Sequence, residues 1–330
     1  MNWLQAIILG IVQGLTEFLP VSSSAHVMVA GRLMFSSPEP TWMTAFSAII
    51  QLGTMLAVLI YFLRDIWRIL KAWFLSIIGK VPHSDPDARM GWFVIVGTIP
   101  IGILGIALQS YINTKFRNLW VTVAMLLIVG IILWVADIYT ARLSRQSDVE
   151  IEDSHVVSVD GEFKARRGFS VTEESNWETA IHPVVIDDAE PEPQPRGLRS
   201  LKDMTWTHAI IFGLAQALAL IPGVSRSGAT TSAGLFLGYD RPSAARYSFL
   251  LSIPAVWASG LYELKGLSTD GLPMVPTLVA TVISFVVGFA VIAWLLRFIS
   301  NHTFQGFAIY RIILAVVLAG MLLLGIISAV

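Results

Sequence analysis

Residues 3–31 read WLQAIILGIVQGLTEFLPVSSSAHVMVAG, and residues 206–234 read WTHAIIFGLAQALALIPGVSRSGATTSAG. When the two stretches are aligned at a constant offset of 203 positions, they are identical at 12 of 29 sites. Each is an apolar run that is broken by a short polar stretch containing proline and serine, and that then resumes. Paired interrupted hydrophobic segments in two halves of a membrane protein indicate a binding site near the midplane, built from the interruptions.

The composition is that of an integral membrane protein. Of the 330 residues, 55% are hydrophobic and only 14% are charged, far from the balance of a soluble domain. Six apolar runs are each long enough to cross a hydrocarbon core of roughly 30 Å. We predict spans at 42–63, 91–111, 118–138, 242–262, 273–297 and 306–329.

The two repeated stretches have too few apolar residues on either side of the interruption to span a membrane. We therefore predict re-entrant helix–loop–helix hairpins at 3–34 and 206–238. The expected fold is an all-α polytopic membrane protein with six transmembrane helices and two re-entrant hairpins in an inverted repeat. The tips of the hairpins can then meet near the midplane.

The chain is expected to divide into three parts. Residues 1–140 form the first membrane repeat and residues 205–330 the second, each with one hairpin and three spans. The segment 141–204 between them is polar and acidic and ends in the run PEPQP at 191–195. This composition favours a flexible solvated linker, and a regulatory or docking segment is the alternative.

The distribution of Lys and Arg predicts the orientation. The connection 64–90 carries five such residues, and basic short loops lie in the cytoplasm. With six spans, both termini lie outside and 141–204 is cytoplasmic. The N-terminus lacks a basic region, so we expect no cleaved signal peptide. The chain contains no cysteine, which excludes disulfides, thiolate nucleophiles and cysteine metal sites.

The first polar tip carries a carboxylate and an imidazole. Gln13 and Glu17 are four residues apart and share a helix face. A carboxylate in an apolar segment costs several kcal/mol unless it is paired, protonated or metal-bound, so Glu17 is a functional candidate. Its alternative role is to cap the serine loop. His26 is a candidate proton carrier or phosphoryl ligand, or else a buried histidine with satisfied hydrogen bonds.

The second tip, at 222–231, has the composition of an anion site. Gly223 and Gly228 allow close backbone approach, and a half-helix beginning near Ser227 directs free N–H groups and a positive dipole end at the tip. Its hydroxyl groups add hydrogen-bond donors, and Arg226 offers a planar fork that matches phosphate oxygens. The alternative for Arg226 is an ion pair with Glu17, which could open when an anionic substrate arrives.

Together, the tips suit phosphoryl transfer, in which Arg and N–H groups stabilise the transferred group while a carboxylate positions a cation or a proton. They equally suit an anion that is bound and carried without being broken. The second hypothesis is therefore a membrane transporter or flippase for a lipid phosphate or another anion, because inverted repeats with broken helices are also transporter architecture.

The segments QGLTEFLPVSSSAH at 13–26 and PGVSRSGATTSAG at 222–234 resemble the two signature motifs of bacterial undecaprenyl-diphosphate phosphatases of the bacitracin-resistance type. The similarity extends to 46–59, 247–260 and to FAIYR at 307–311. Fragments of the type-2 phosphatidic-acid phosphatase pattern are present, but its Pro-Ser-Gly-His motif is absent, and we reject that family.

The resemblance implies hydrolysis of undecaprenyl diphosphate to undecaprenyl phosphate and inorganic phosphate. This reaction recycles the lipid carrier of peptidoglycan synthesis and confers bacitracin resistance. The family also implies a divalent cation, Mg²⁺ or Ca²⁺, and an active site facing outward from the bacterial plasma (inner) membrane. Expected partners are the polyprenyl diphosphate and membrane lipids, with a homodimer left open and no nucleic acid.

Matched by position, the motifs assign four catalytic residues. Glu17 would be a metal ligand or base, Ser23 the nucleophile with metal-activated water as its rival, His26 the proton carrier and Arg226 the phosphate clamp. Gln13 replaces an acidic residue that many members carry, so it is a tentative metal ligand that predicts weaker cation binding. The substrate-binding residues would be Gln13, Ser22, Ser24, Gly223, Ser225, Ser227, Gly228 and Thr230.

Three other features have plainer interpretations. Arg311, near a predicted span end, is expected to extend its side chain towards the membrane surface, as is its neighbour Tyr310. Asp137 lies near the cytoplasmic end of its span and needs no function. The segment 141–204 is longer than the family's usual connection between the halves, and the resemblance does not explain it.

Overall fold

The computed structural model describes residues 1–35, 42–108, 111, 118–154, 197–266 and 271–329. For 147–154 and 261–266 it describes only the helical backbone. Regular structure in these ranges is helical. The α-helices are α1 Trp3–Phe18, α2 Ser23–Met34, α3 Met43–Tyr61, α4 Leu63–Ile77, α5 Pro86–Ala107, α6 Leu119–Ser154, α7 Trp206–Ala217, α8 Arg226–Phe236, α9 Arg241–Gly266, α10 Met274–Asn301 and α11 Gln305–Leu323. Residues Met1–Thr140 and Arg199–Val330 form one compact unit, and the described residues 141–154 and 197–198 fall outside it.

Five helices of the described residues are long and apolar enough to cross a membrane. They are Met43–Tyr61, Pro86–Ala107, Leu119–Gln146, Met274–Asn301 and Gln305–Leu323. The sixth predicted span, 242–262, does form a helix, α9, but it does not belong to this apolar group. Arg241, Ser243, Arg246 and Ser248 make its first turns polar. The count of six spans therefore stays a prediction.

Two corrections concern the segments between the spans. The connection 64–90, treated from sequence as a loop, contains helix α4. This helix exposes Leu63, Trp67, Leu70 and Phe74 at helical spacing, a pattern typical of a helix lying at a membrane surface. Helix α6 continues to Ser154, into the predicted linker. Of the predicted linker 141–204, residues 155–196 lie outside the described ranges, whereas its end, 197–204, is described and includes the short 3-10 turn Leu201–Asp203.

The membrane unit has two opposite ends, which polar contacts identify. We call one the terminal end, where the backbone N–H of Leu119 donates to the Ala329 carbonyl at 2.9 Å. The other is the basic end, where Arg246 pairs with Asp65 at 2.6 Å. At the basic end Arg89 also donates to the Met204 carbonyl, at 3.2 Å.

The two hairpins enter from opposite ends. In the first, Gln5 at the start of α1 donates to the carbonyl of Met34 at the end of α2, at 3.3 Å. Its open side belongs to the terminal end, because Arg32 of α2 donates to the Ser328 carbonyl. The second hairpin opens at the basic end, where the Arg199 N–H donates to the Gly238 carbonyl at 2.8 Å. The two hairpins thus open at opposite ends of the unit, and the re-entrant, inverted arrangement in a membrane stays a prediction.

Each hairpin packs on the other half of the chain. Helix α1 lies along α10, so closely that a Cβ atom on Gly10 would come within 2.6 Å of the Ala280 carbonyl oxygen. Helix α7 packs on α5 in the same way, with Gly213 against Gly97. Gly10 and Gly213 are equivalent positions of the repeat. The halves are therefore interlocked, and neither closes its core alone.

Candidate active site

The loops at the two hairpin tips contact each other. The first loop joins α1 to α2 and the second joins α7 to α8. The Ser227 hydroxyl in the second hairpin donates to the Leu19 carbonyl in the first loop, at 3.0 Å. The two polar interruptions, about 200 residues apart in sequence, therefore form one site, as the repeat predicted.

Both loops contain a serine in a strained backbone conformation. Ser22 has φ 74° and Ser225 has φ 67°, and they are the only non-glycine residues with positive φ in the described ranges. This region is costly for a residue with a side chain, and such strain is concentrated at functional sites. The two serines are equivalent positions of the repeat. In each loop the serine hydroxyl lies 3.2 Å from that of the serine two residues later, Ser24 or Ser227.

The strained serines set the start of the second helix of each hairpin. Helix α2 begins at Ser23 and α8 begins at Arg226, immediately after the turns. Both helix N-termini therefore start at the junction of the loops. The unpaired N–H groups and positive dipole ends of helix N-termini favour anions. The backbone alone thus makes the junction attractive to a phosphate group.

The Glu17 carboxylate is the centre of the side-chain network. Its Oε1 accepts from Arg226 Nη2 at 2.6 Å, and its Oε2 accepts from the Ser23 hydroxyl at 2.7 Å and from Gln13 Nε2 at 2.9 Å. The Glu17 side chain is only 6% exposed and that of Arg226 13%. The alternative sequence interpretation, an ion pair between Glu17 and Arg226, is therefore present. The same carboxylate accepts from the Ser23 hydroxyl and can take its proton.

His26 lies beside this network. Its Nδ1 is 2.7 Å from the Ser22 carbonyl oxygen, and its Nε2 is 2.7 Å from the hydroxyl of Tyr310 in α11. Among the described residues, its ring has no hydrogen bond to Glu17 or Ser23. The group closest to the Ser23 proton is thus Glu17, and the proton-carrier role predicted for His26 stays a prediction.

Several residues predicted to bind substrate also make contacts within the loops, and their role towards a substrate stays a prediction. The Gly228 N–H donates to the Ser225 hydroxyl at 3.1 Å, which caps α8. The buried Thr230 hydroxyl donates to the Arg226 carbonyl at 2.7 Å and lies 2.5 Å from the Ser248 hydroxyl. Gly223, with φ 93°, leaves no room for a Cβ atom against α6. The exposed Ser24 and half-buried Ser23 and Ser225 remain open to a ligand.

Arg311 is the residue that the sequence interpretation missed. It is fully buried rather than extended to the surface, so that interpretation is wrong. Its guanidinium donates to the carbonyls of Pro20 in the first loop and of Gly223 and Val224 in the second, at 3.0, 2.9 and 3.0 Å. One cation thus ties both loops together. The signal was available, because an ionisable residue within an apolar span is a functional candidate by default.

Asp137 also has a partner that the sequence did not suggest. Its fully buried carboxylate accepts from Arg241 Nε at 2.6 Å, at the basic end of the unit. This pair joins α6 of the first half to the first residue of α9 in the second. It therefore stabilises the interlocked halves.

The residues at the site suit a divalent cation only if the ion is also bound by substrate phosphates. Within the described residues, no group of three or more His, Asp or Glu side chains could hold a metal ion. Glu17 is the carboxylate at the loop junction, and Arg226 already pairs with it. Mg²⁺ is often bound by one or two carboxylates together with substrate phosphates and waters. The donor set therefore suits an ion that binds together with a phosphorylated substrate.

The sequence of this chain also matches a family model and several curated relatives. The family model of bacitracin resistance protein BacA matches residues 6–159 and 179–317. The chain is 47% identical over 334 residues to an undecaprenyl-diphosphatase of Micrococcus luteus, and the match covers 100% of both chains. It is 44% identical to an undecaprenyl-diphosphatase of Renibacterium salmoninarum, covering 100% of this chain and 99% of that protein. For undecaprenyl-diphosphatase 2 of Streptomyces avermitilis, the identity is 45% over 329 residues, covering 99% and 97%.

These matches also bear on the long segment between the halves. The family model leaves out residues 160–178, within that segment. The Micrococcus and Renibacterium proteins match over essentially their whole lengths. They therefore carry a connection of comparable length, which these relatives share although the general family pattern lacks part of it.

Proposed function

Because this chain belongs to the bacitracin resistance protein BacA family, we propose that it hydrolyses undecaprenyl diphosphate to undecaprenyl phosphate and inorganic phosphate. The observation that carries the proposal is the Glu17 carboxylate, held between a serine hydroxyl at 2.7 Å and a guanidinium at 2.6 Å. A nucleophile, a base and an anion clamp are thus in contact. The product is the lipid carrier of cell-wall synthesis, and its recycling accounts for bacitracin resistance.

Binding begins with exchange of partners at Arg226. The diphosphate carries more charge than one carboxylate, and guanidinium binds phosphate oxygens in a bidentate manner. Arg226 therefore shifts from Glu17 towards the terminal phosphate, which also receives the free N–H groups at the starts of α2 and α8. Release from the ion pair leaves Glu17 in contact with Ser23 and free to accept its proton.

In the first chemical step, Ser23 Oγ forms a bond to the terminal phosphorus and gives its proton to Glu17. The bond from that phosphorus to the bridging oxygen breaks, and undecaprenyl phosphate leaves with the electron pair. In the second step, a water oxygen bonds to the phosphorus of phosphoserine, and the bond to Ser23 Oγ breaks. A proton returns to Oγ through Glu17, and inorganic phosphate is released. The rival mechanism transfers the phosphoryl group directly to water, with Glu17 as its base.

A divalent cation remains part of the proposal. Glu17, with the carbonyl oxygen of Gln13, would hold it together with the diphosphate oxygens. When bound, it would supply neutralisation of the phosphate charge. Because Gln13 adds no negative charge, we expect weaker cation binding than in a protein with two carboxylates at these positions.

The finer placement in the membrane is also proposed. The chain is a multi-pass protein of the bacterial plasma membrane, with α9 as its sixth span, both termini outside and the site open to the outer face. The isoprenoid tail then remains among the lipids while the diphosphate enters between the hairpins. A homodimer stays a prediction.

A carrier for lipid phosphate is the second candidate, since two inverted hairpins meeting at their tips are also transporter architecture. The contact between Ser23 and Glu17 favours the phosphatase. A carrier of anions needs Arg226 and hydroxyl groups, but a carboxylate against its substrate would weaken binding.

The test is phosphate release from undecaprenyl diphosphate by the purified protein in detergent, with acid quenching to trap phosphoserine. Ser23→Ala should abolish both release and trapping. Ser300→Ala, which removes an exposed hydroxyl bonded to the Leu296 carbonyl of its own helix, should keep most of the activity. Release that survives in Ser23→Ala would select water as the nucleophile. Absence of release by folded wild type with either cation would instead support the carrier.

A further inference from the structure

Tyr310 is the only described side chain that hydrogen-bonds the Nε2 atom of His26. We propose that Tyr310 is a positioning residue that fixes the tautomer and orientation of His26 for the reaction. The proposal rests on the hydrolase function and on the proton-carrier role predicted for His26 in that reaction. It concerns a residue in the last helix, 284 positions away from the histidine.

The two hydrogen bonds of His26 determine its tautomer. A backbone carbonyl oxygen accepts and cannot donate, so Nδ1, at 2.7 Å from the Ser22 carbonyl, must carry a proton. In the neutral ring, Nε2 is then unprotonated. The Tyr310 hydroxyl, at 2.7 Å, donates to it. In this tautomer, Nε2 is the nitrogen of His26 that can accept a proton.

The ring geometry supports a maintained contact. The two rings are nearly parallel, at 10°, with centroids 5.7 Å apart, as expected when the phenol meets the imidazole at its Nε2 edge. Without the phenol, the Ser22 carbonyl alone would hold the ring. Rotation of the imidazole, or transfer of its proton to Nε2, would then move the basic nitrogen away from the site.

The position of Tyr310 is tied to both loops. Its neighbour Arg311 is the buried cation that binds carbonyls of both hairpin loops. Tyr310 is therefore placed by the same helix turn that places the loops. Its side chain is on the accessible side of that turn, since the residue is 45% exposed.

Nitrogen-15 NMR of histidine-labelled protein in detergent tests the tautomer without any activity. Its shifts distinguish Nδ1–H from Nε2–H, and loss of a signal in His26→Asn identifies His26 among the six histidines. We expect the Nδ1–H form in the wild type and a mixture of tautomers in Tyr310→Phe. An unchanged His26 spectrum in Tyr310→Phe would overturn the proposal.

A double-mutant cycle tests the function. Tyr310→Phe should lower kcat on the order of tenfold with KM unchanged, a fraction of what general acid–base groups contribute. If Tyr310 acts through His26, Tyr310→Phe should have no further effect in a His26→Ala background. Effects that multiply, or full activity of Tyr310→Phe, would contradict this role.

The control is Tyr139→Phe. Tyr139 is a tyrosine of similar exposure, 42%, whose ring packs on Phe236 away from the loops. It should keep wild-type kinetics. If the wild type itself releases no phosphate, the hydrolase proposal fails, and the NMR comparison alone decides whether Tyr310 sets the tautomer.

Discussion

Replacing Arg311 by methionine should loosen both loops of the site at once. The guanidinium is fully buried, and no carboxylate of the described residues pairs with it. Its three shortest hydrogen bonds go to loop carbonyls, those of Pro20, Gly223 and Val224. Methionine has a similar length and no donor, so it fills the space and leaves these oxygens without their partner.

The size of the effect follows from these three carbonyls. A buried polar group that loses its partner costs about 1–3 kcal/mol, so three such groups amount to at least about 3 kcal/mol. For a chain of this length, about 2 °C of melting temperature corresponds to 1 kcal/mol, so Tm should fall by about 6 °C or more. A displacement of the loops by about 1 Å should also lower kcat/KM on the order of 100-fold.

Thermal unfolding in detergent, followed by tryptophan fluorescence, measures the stability change. The control is Arg246→Met, which removes a 47%-exposed arginine paired with Asp65 at the basic end. Exposed ion pairs contribute about 0–1 kcal/mol, so this variant should melt close to wild type. If Arg311→Met melts within 2 °C of wild type, its hydrogen bonds do not hold the loops. If its melting temperature falls but kcat/KM is unchanged, the loops do not position the reacting groups.

Three further variants test the interlocked halves. Gly10→Ala should destabilise the protein by about 1–3 kcal/mol, because the new methyl would meet the Ala280 carbonyl at 2.6 Å. Gly320→Ala, where nothing lies within 4 Å, should instead stabilise by about 0.5–1 kcal/mol, as alanine does in a helix. Arg241→Met should cost about 3–5 kcal/mol, because it leaves the buried Asp137 carboxylate without its cation.

Thermal unfolding also tests the glycine variants and the Arg241–Asp137 ion pair. Equal melting temperatures for Gly10→Ala and Gly320→Ala would show that α1 and α10 do not pack as closely as described. For the ion pair, the double variant Arg241→Met with Asp137→Leu should recover much of the lost stability, since apolar replacement of a whole buried pair is often neutral. Absence of any recovery would point to another cause.

The hairpins and their meeting could be predicted because the sequence repeats the relevant pattern. The predicted segment 3–34 corresponds to the observed α1 and α2, from Trp3 to Met34. Equivalent serines, Ser22 and Ser225, adopt the same strained turn. Glu17 and Arg226 stood out because a charge in an apolar segment requires a partner, and each is the partner of the other.

Other features depend on tertiary contacts that hydropathy does not encode. The apolar pattern indicates that α1 lies in an apolar environment, but not that one face packs on α10 of the other half. Thr230 is predicted to bind substrate, and the sequence did not indicate that its hydroxyl lies 2.5 Å from that of Ser248 in the core. Arg311 was misinterpreted because an arginine near a span end usually extends to the surface. Its side chain points inward because it hydrogen-bonds the loop carbonyls, which lie far away in the sequence.

The central claim is that the two hairpin tips form one phosphatase site around Glu17 and Arg226. It is tested most directly by phosphate release from undecaprenyl diphosphate, for wild type, Glu17→Gln and Arg226→Ala, each with and without added Mg²⁺ or Ca²⁺. We predict cation-dependent release by the wild type and its loss in both variants, although the variants lie in different halves of the chain. Release that persists in either variant, or no release by folded wild type under any condition, would contradict the claim.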